Sequence, residues 1–92
     1  NSKYLSSLLA TNTQSCRQQV VEYWMDQANQ ATSEVQRHER LMKAGWDVGV
    51  DSFVRYSTLL DRVAEAAEAA GQHARASLAK THRRCLRNRY GV

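Results

Sequence analysis

Proline is absent from this 92-residue sequence, so the strongest helix breaker interrupts it nowhere. Two cysteines are too few for a disulfide scaffold, which favours a reducing cytoplasm as the location. No apolar run approaches the roughly 20 residues that cross a bilayer. The chain starts at Asn1 rather than Met, so prior cleavage of an N-terminal signal peptide is left as an alternative. With 42% hydrophobic and 24% charged residues, we expect one soluble domain over residues 1–92.

Groupings of reactive side chains are also scarce. We find no Ser/His/Asp or Cys/His set on neighbouring helical turns and no isolated carboxylate pair, so we expect neither an enzyme nor a cofactor. His82 and Cys85, with Cys16, could offer three ligands to zinc, but structural zinc sites use four. We therefore predict no metal site. Both cysteines are expected to be buried thiols, with a disulfide or a redox-sensing role left open.

Two long stripes of apolar residues follow helical spacing. Their steps of three and four residues are typical of a coiled-coil seam and predict long helices over about 13–44 and about 52–88. The first stripe comprises Cys16, Val20, Trp24, Ala28, Ala31, Val35, His38 and Met42. The second comprises Tyr56, Leu60, Val63, Ala67, Ala70 and Ala74, continued by Leu78, Thr81 and Cys85.

Residues 45–51, between the two stripes, form a predicted corner. They include Gly45 and Gly49, and glycine reaches positive φ at little cost and is enriched just past helix ends. Asp51 is a favoured residue type for a helix N-cap. The corner is therefore expected to fold the two long helices back on each other.

Two further positions could divide the helices. A short helix over about residues 2–10, apolar on one face, is expected to precede the first long helix, with a break at 11–13; one continuous helix is the alternative. Gly71 lies inside the second stripe, and a break there would create a third helix from Gln72. Because the stripe crosses Gly71 without a change of phase, we expect continuity.

Folding at the corner would pair residues whose numbers sum to about 98, such as Trp24 with Ala74 and Met42 with Tyr56. Each helix would keep a second apolar face, which a second copy would bury most economically. The predicted fold is thus all-α: a long antiparallel helical hairpin with a short N-terminal helix, dimerising into a four-helix-type bundle. The second faces comprise Val21, Met25 and Leu41 on one helix and Phe53, Leu59, Ala66, Ala69 and Leu86 on the other.

Positive charge is concentrated at the C-terminal end. Residues 72–92 carry +6 with no acid and the preceding residues −2, which gives the net charge of +4. A basic helical face could neutralise phosphates or a partner's acidic patch, or could be a solvated helix end. Since no aromatic interleaving or known nucleic-acid-binding motif accompanies it, we favour a solvated face or a protein partner over nucleic acid. The face comprises Lys80, Arg83, Arg84 and Arg87.

Two known protein families offer comparisons. Residues 40–56, RLMKAGWDVGVDSFVRY, resemble the helical hairpin of phasins: a helix end, a short corner and the start of an Ala-rich helix. Phasins coat polyester granules through amphipathic helices, so this resemblance implies a granule-surface role. In size and style the chain is also similar to the small helical anti-activators that sequester bacterial transcription factors, which implies a regulator that binds another protein.

These features predict a non-enzymatic, homodimeric regulator that binds another protein, of the anti-activator or adaptor type, with a transcription regulator as a candidate target. Nucleic-acid binding through the basic C-terminal helix is the first alternative, and a phasin-like granule-surface protein is the second. Aromatic and Arg side chains dominate interface energetics. The predicted partner-binding residues are therefore Trp46, Phe53, Tyr56 and Leu59 as apolar anchors and Arg83, Arg84 and Arg87 as a charged rim.

Overall fold

A computed structural model describes the backbone of residues 2–92 and the side chains of residues 13–92. Within that range the chain forms three helices and no strand, which confirms the predicted all-α class. The helices are α1 (Ser2–Lys43), α2 (Asp51–Ala69) and α3 (His73–Tyr90). Good helix formers such as Ala, Gln and Arg are abundant, and no proline competes with them.

The helix α1 is uninterrupted over its 42 residues, so the predicted short helix at about 2–10 and the break at 11–13 are wrong. Residues such as Thr and Asn each cost only about half a kcal/mol inside a helix relative to Ala. A new helix would have to be nucleated separately, which is unfavourable. Continuing α1 therefore has the lower free energy. The side chains that were expected to form an apolar face before residue 11 lie outside the described side chains.

A glycine ends α1 at the corner. The Gly45 amide donates to the carbonyl of Met42 at 3.0 Å, and the Trp46 amide donates to that of Leu41 at 2.9 Å. Gly45 itself has a φ of +90°. This is a Schellman motif, which satisfies the last carbonyls of a helix but requires a left-handed residue. The seven residues from 44 to 50 then connect α1 to α2.

The same motif ends α2, so the predicted continuity across Gly71 is wrong. The Gly71 amide donates to the carbonyl of Glu68 at 3.1 Å, and the Gln72 amide donates to that of Ala67 at 2.8 Å. Gly71 has a φ of +76°, which a residue inside a helix does not have. The chain therefore turns at Gly71 and continues as a separate helix, α3.

The helices α1 and α2 run antiparallel, because late residues of one contact early residues of the other. His38 Nδ1 lies 2.5 Å from Ser52 Oγ, and the Gln14 amide donates to the carbonyl of Ala70 at 3.0 Å. The helices α2 and α3 are also antiparallel. The Phe53 and Tyr90 rings stack with their centroids 4.0 Å apart, so the end of α3 returns to the corner.

The predicted register between α1 and α2 is wrong by about two helical turns. The contacts of His38 with Ser52 and of Glu34 with Arg55 give sums of about 90 instead of about 98. A non-helical residue spans about 3.3 Å and a helical residue about 1.5 Å. Residues 46–50 can therefore retrace the last turns of α1, which places the start of α2 level with His38. Trp24 consequently packs against a cluster that contains Ala66 and Ala70 instead of against Ala74.

The apolar faces left over by the predicted seam are mostly covered within the single chain. The reason is that α2 lies between α1 and α3 and packs against both. A second copy is therefore not needed to bury these faces. Val21, Phe53, Leu59, Ala66 and Leu86 are all buried.

The turn at Gly71 also changes which face of α3 is buried. The inward residues follow steps of three and four, but the predicted stripe is displaced from them and faces solvent. The inward stripe comprises Ala76, Ala79, Arg83, Leu86 and Tyr90, all buried or half-buried. The displaced stripe comprises Ala74, Leu78, Thr81 and Cys85, all exposed.

We expect Gly71→Ala to lower the free energy of unfolding by about 1 kcal/mol, because alanine is strained at positive φ. An added Cβ at this position would meet no atom within 4 Å, so backbone strain is the main effect. Inside a continuous helix the same substitution would instead raise stability by about 1 kcal/mol. Urea unfolding measures whether Gly71→Ala lowers or raises the free energy of unfolding. Gly71→Asn, which tolerates the left-handed region better, should lose less stability, and a stabilised Gly71→Ala protein would contradict the turn.

Candidate partner-binding surfaces

Three of the predicted apolar anchors lie in the core. Phe53 has no exposed surface, and Tyr56 and Leu59 are each 8% exposed. A partner cannot reach them while the three helices are packed, so their placement at an interface is corrected. Phe53 and Tyr56 instead contact the α3 rings of Tyr90 and His82.

The fourth predicted anchor, Trp46, is exposed at the corner. Its side chain retains 67% of its surface, and three further apolar residues near the corner are also exposed. We call Met42, Trp46, Val50 and Val54 the corner patch. An exposed aromatic residue among other apolar side chains is typical of an interaction surface.

The three arginines of the predicted basic rim differ in their contacts. Arg83 Nε lies 2.7 Å from Asp61 Oδ1, although without the alignment of a hydrogen bond, and the side chain is half-buried in the inward stripe of α3. Arg84 and Arg87 are exposed, and neither has a carboxylate partner among the described side chains. Only these two residues of the predicted rim are therefore free for a partner.

The three other Lys and Arg side chains of α3 all face acids of the other two helices. The charge asymmetry of the sequence is therefore partly internal, because the acidic surfaces of α1 and α2 meet the basic surface of α3. The pairs are Arg75 with Glu22 at 3.6 Å, Lys80 with Glu68 at 3.6 Å and Arg89 with Glu39 at 3.5 Å.

Glu68 links α2 to α3 across the turn at Gly71. His73 Nδ1 lies 3.0 Å from one carboxylate oxygen, and Lys80 Nζ lies 3.6 Å from the other. The hydrogen bond from His73 lowers the pKa of the Glu68 carboxyl. Desolvation partly opposes that effect, and the positive charge of Lys80 reinforces it.

Both cysteines are free and exposed, which corrects the expectation that they are buried. Cys16 lies on α1 near the end of α2, since the neighbouring Gln14 reaches Ala70. Cys85 lies toward the other end of the molecule, in a depression that Glu39 also lines. The two thiols are therefore separated along the helices and do not form an intramolecular disulfide.

The three residues considered for zinc do not come together either. The His82 ring makes an edge-to-face contact with Tyr56, with their centroids 5.3 Å apart, while Cys16 lies at the other end of the molecule. Among the described residues, no group of three His, Cys, Asp or Glu side chains could hold a metal ion. The role of His82 in this fold is therefore an aromatic contact.

A groove runs between α1 and α3, which do not pack directly against each other in the described part of the chain. Part of it is a cavity of about 290 Å³ whose floor is formed by α2. Ion pairs from α3 to Glu22 and Glu39 link the groove walls at two levels. The α2 floor comprises Tyr56, Leu60 and Val63, and the walls include Met25 and Asn29 from α1 and Leu78 and His82 from α3.

No protein-family model matches the chain, and no curated protein or solved structure is found to be similar to it. Over the described residues, none of the helices combines the length and the hydropathy that crossing a membrane requires. Function has to be inferred from the surfaces: the corner patch, the free arginines of α3 and the groove.

In the folded protein we expect the Glu68 carboxyl to titrate below the range of an ordinary glutamate. His73→Ala should raise its pKa, because the hydrogen bond from His73 is the largest cause of the shift. A folded pKa below the unfolded one means that the stability contribution of Glu68 is present above the unfolded pKa and lost as pH falls through the folded pKa. Carboxyl-carbon NMR titration measures the shift.

Arg62→Ala is the control for this titration, because Arg62 pairs with Glu65 and not with Glu68. It should leave the Glu68 pKa unchanged. If the Glu68 pKa were the same in the wild-type and His73→Ala proteins, the assigned cause would be wrong.

Proposed function

We propose that this protein is a non-enzymatic helical regulator that acts by binding another protein, in the manner of an anti-activator or adaptor. The exposure of Trp46 within the corner patch carries the proposal. Apolar surface is unfavourable in water, and each Å² that a partner covers contributes roughly 25 cal/mol before the costs of association. The patch therefore favours binding to a complementary apolar surface.

The free arginines of α3 complete this surface. Tyr90 stacks on Phe53, which brings the C-terminal end of α3 to the end of the molecule that carries the corner. Arg87 lies less than one turn before Tyr90, and Arg84 one turn earlier. A polar or charged rim around an apolar centre is the usual anatomy of a protein interface.

The class of target is proposed from resemblance alone. The small helical anti-activators that this chain is similar to act on transcription factors, so we propose a transcription regulator as the target. A cytoplasmic location is part of the same proposal.

Trp46→Asp is expected to abolish capture of the partner from a native lysate, because it replaces the most exposed side chain of the corner patch with a charge. The exposed position should leave the fold intact, which circular dichroism and thermal unfolding check. Ser33→Asp is the matched control, since it adds the same charge at an exposed position of α1 outside the patch. If both variants captured the same proteins as the wild type, the corner patch would not be the interface.

We also propose a homodimer, supported by exposed apolar residues on α1. Val20 and Tyr23 are 47% and 54% exposed, and Cys16 lies one turn before Val20. Their spacing of four and three residues is that of a helix-pairing seam. Two α1 helices packed through this face would bury both residues.

Light scattering is expected to give the mass of a dimer at micromolar concentration. Val20→Asp should reduce it to a monomer, because the charge would lie inside the α1 seam. The Ser33→Asp protein serves again as the control and should remain a dimer. A wild-type monomer under the same conditions would contradict the homodimer.

Nucleic-acid binding is the alternative that the free arginines favour. The other four cations of the basic segment lie within 3.6 Å of carboxylates, which leaves Arg84 and Arg87 for phosphates. With two phosphate contacts, log affinity would fall against log salt with a slope of only about −2. An electrophoretic shift that survived Arg84→Ala/Arg87→Ala would exclude this alternative.

A phasin-like role at a granule surface is the second alternative. It would use the corner patch to contact lipid or polyester directly, without a protein partner. Flotation with liposomes distinguishes a granule-surface role from binding to a protein partner. Binding to vesicles in the absence of other proteins is expected only for the granule-surface role.

A further inference from the structure

The helix α3 carries a second helix-pairing seam on its solvent face. Ala74, Leu78, Thr81 and Cys85 follow steps of four, three and four residues, and all four are exposed. Leu78 keeps 73% of its surface, more than any other large apolar residue among the described side chains. We call these four residues the outer seam. They are displaced from the inward stripe toward solvent, and Leu78 and Cys85 also border the groove and the depression that α3 forms with α1. This second apolar face of α3 is therefore left exposed.

Three of the positions that flank the outer seam are arginines. In the heptad pattern, Arg75, His82 and Arg89 fall on one side of the seam, and Ser77 and Arg84 fall on the other. Nowhere in α3 is there an acidic residue. Flanking charges set the choice of partner in helix pairs, so this seam selects for negative charge.

These flanking cations can still reach a partner. Arg84 has no carboxylate partner among the described side chains. Arg75 and Arg89 contact Glu22 and Glu39 at 3.6 Å and 3.5 Å, but their side chains remain 41% and 70% exposed. Exposed pairs of this kind are worth roughly 0–1 kcal/mol, so they do not hold either arginine away from another carboxylate.

We propose that the outer seam of α3 is the docking site for an acidic amphipathic helix of the partner protein. The inference rests on the proposed function and names the chemistry of the partner. Its apolar residues would pack around Leu78, and its carboxylates would lie beside Arg84 on one side and Arg75 and Arg89 on the other. The seam spans twelve residues, about 17 Å, which fits a partner helix of about three turns.

A second copy of this chain is a poor occupant of the same seam. Pairing two α3 helices in parallel would place Arg84 of one copy near Arg89 of the other, and antiparallel pairing would offer none of these arginines an acid, because α3 contains none. Like charges at the flanks of a helix pair are destabilising. An acidic helix instead meets the unpaired cation of Arg84, and at Arg75 and Arg89 it meets cations that also contact Glu22 and Glu39.

The test uses the full chain and two labelled helical peptides of about 14 residues, or two heptads. Both have leucine at the seam positions, and one has glutamate and the other lysine at the flanking positions. Fluorescence anisotropy is expected to show binding of the glutamate peptide only. Leu78→Asp should abolish it, and Arg84→Glu should weaken it roughly tenfold. Arg37→Glu is the matched control, since Arg37 is also exposed and without a carboxylate partner among the described side chains but lies on α1, and it should change the affinity less than twofold.

Four results would overturn the inference. They are no binding of the glutamate peptide, equal binding of both peptides, equal weakening by Arg84→Glu and Arg37→Glu, and a wild-type dimer that Leu78→Asp dissociates. The third result would indicate unspecific attraction to a basic surface, and the fourth would make a second copy the occupant. If the peptides failed while Trp46→Asp still abolished capture from a lysate, this inference would fall and the proposed function would stand.

Discussion

The left-handed backbone at Gly71 decides which surfaces of this chain are buried. By ending α2 with a Schellman motif, it sends the last 21 residues of the sequence back along the second face of α2. Phe53 is then enclosed by Tyr90 of the same chain. A domain this small has little core to spare, so covering both faces of its central helix matters to its stability. The same turn leaves Leu78 in solvent, so the conformation that completes the core also creates the most exposed apolar position.

Charge reinforces this arrangement without determining it. Four cations of the C-terminal segment meet carboxylates of α1 or α2, but the contacts are mostly exposed and individually weak. Burial of Phe53, Leu60 and Val63 supplies far more free energy than these pairs. The ion pairs therefore favour one alignment of α3 over others, and the two arginines left outside them, Arg84 and Arg87, are the charges available for recognition.

Periodicity predicted the local structure better than the long-range packing. The stripe through Ala28, Ala31 and Val35 is buried, because a regular apolar spacing reports the inward face of a helix. The register failed because a periodic pattern contains no information about how far corner residues travel.

The stripe through Leu78 was assigned to the wrong face of α3. Its spacing continues unchanged through Gly71, and that spacing is the same whether the chain turns at the glycine or remains helical. Ala76, Ala79 and Leu86 have the helical spacing of the true inward stripe of α3. The pattern was not recognised because the charged residue Arg83 lies between Ala79 and Leu86. Sequence alone also could not tell whether an apolar face is covered by the same chain, and so it misplaced Phe53.

The groove between α1 and α3 has a consequence for how the sequence tolerates change. Because these two helices meet mainly through ion pairs at Glu22 and Glu39, neither relies on the detailed shape of the other. A substitution in α1 or α3 changes the packing of that helix against α2 only. A substitution in α2, such as Leu60→Ala, disturbs the packing of α2 against both α1 and α3. The helix in the middle is therefore the part of the molecule with the least freedom to vary, and the outer helices can acquire new surface chemistry independently of each other.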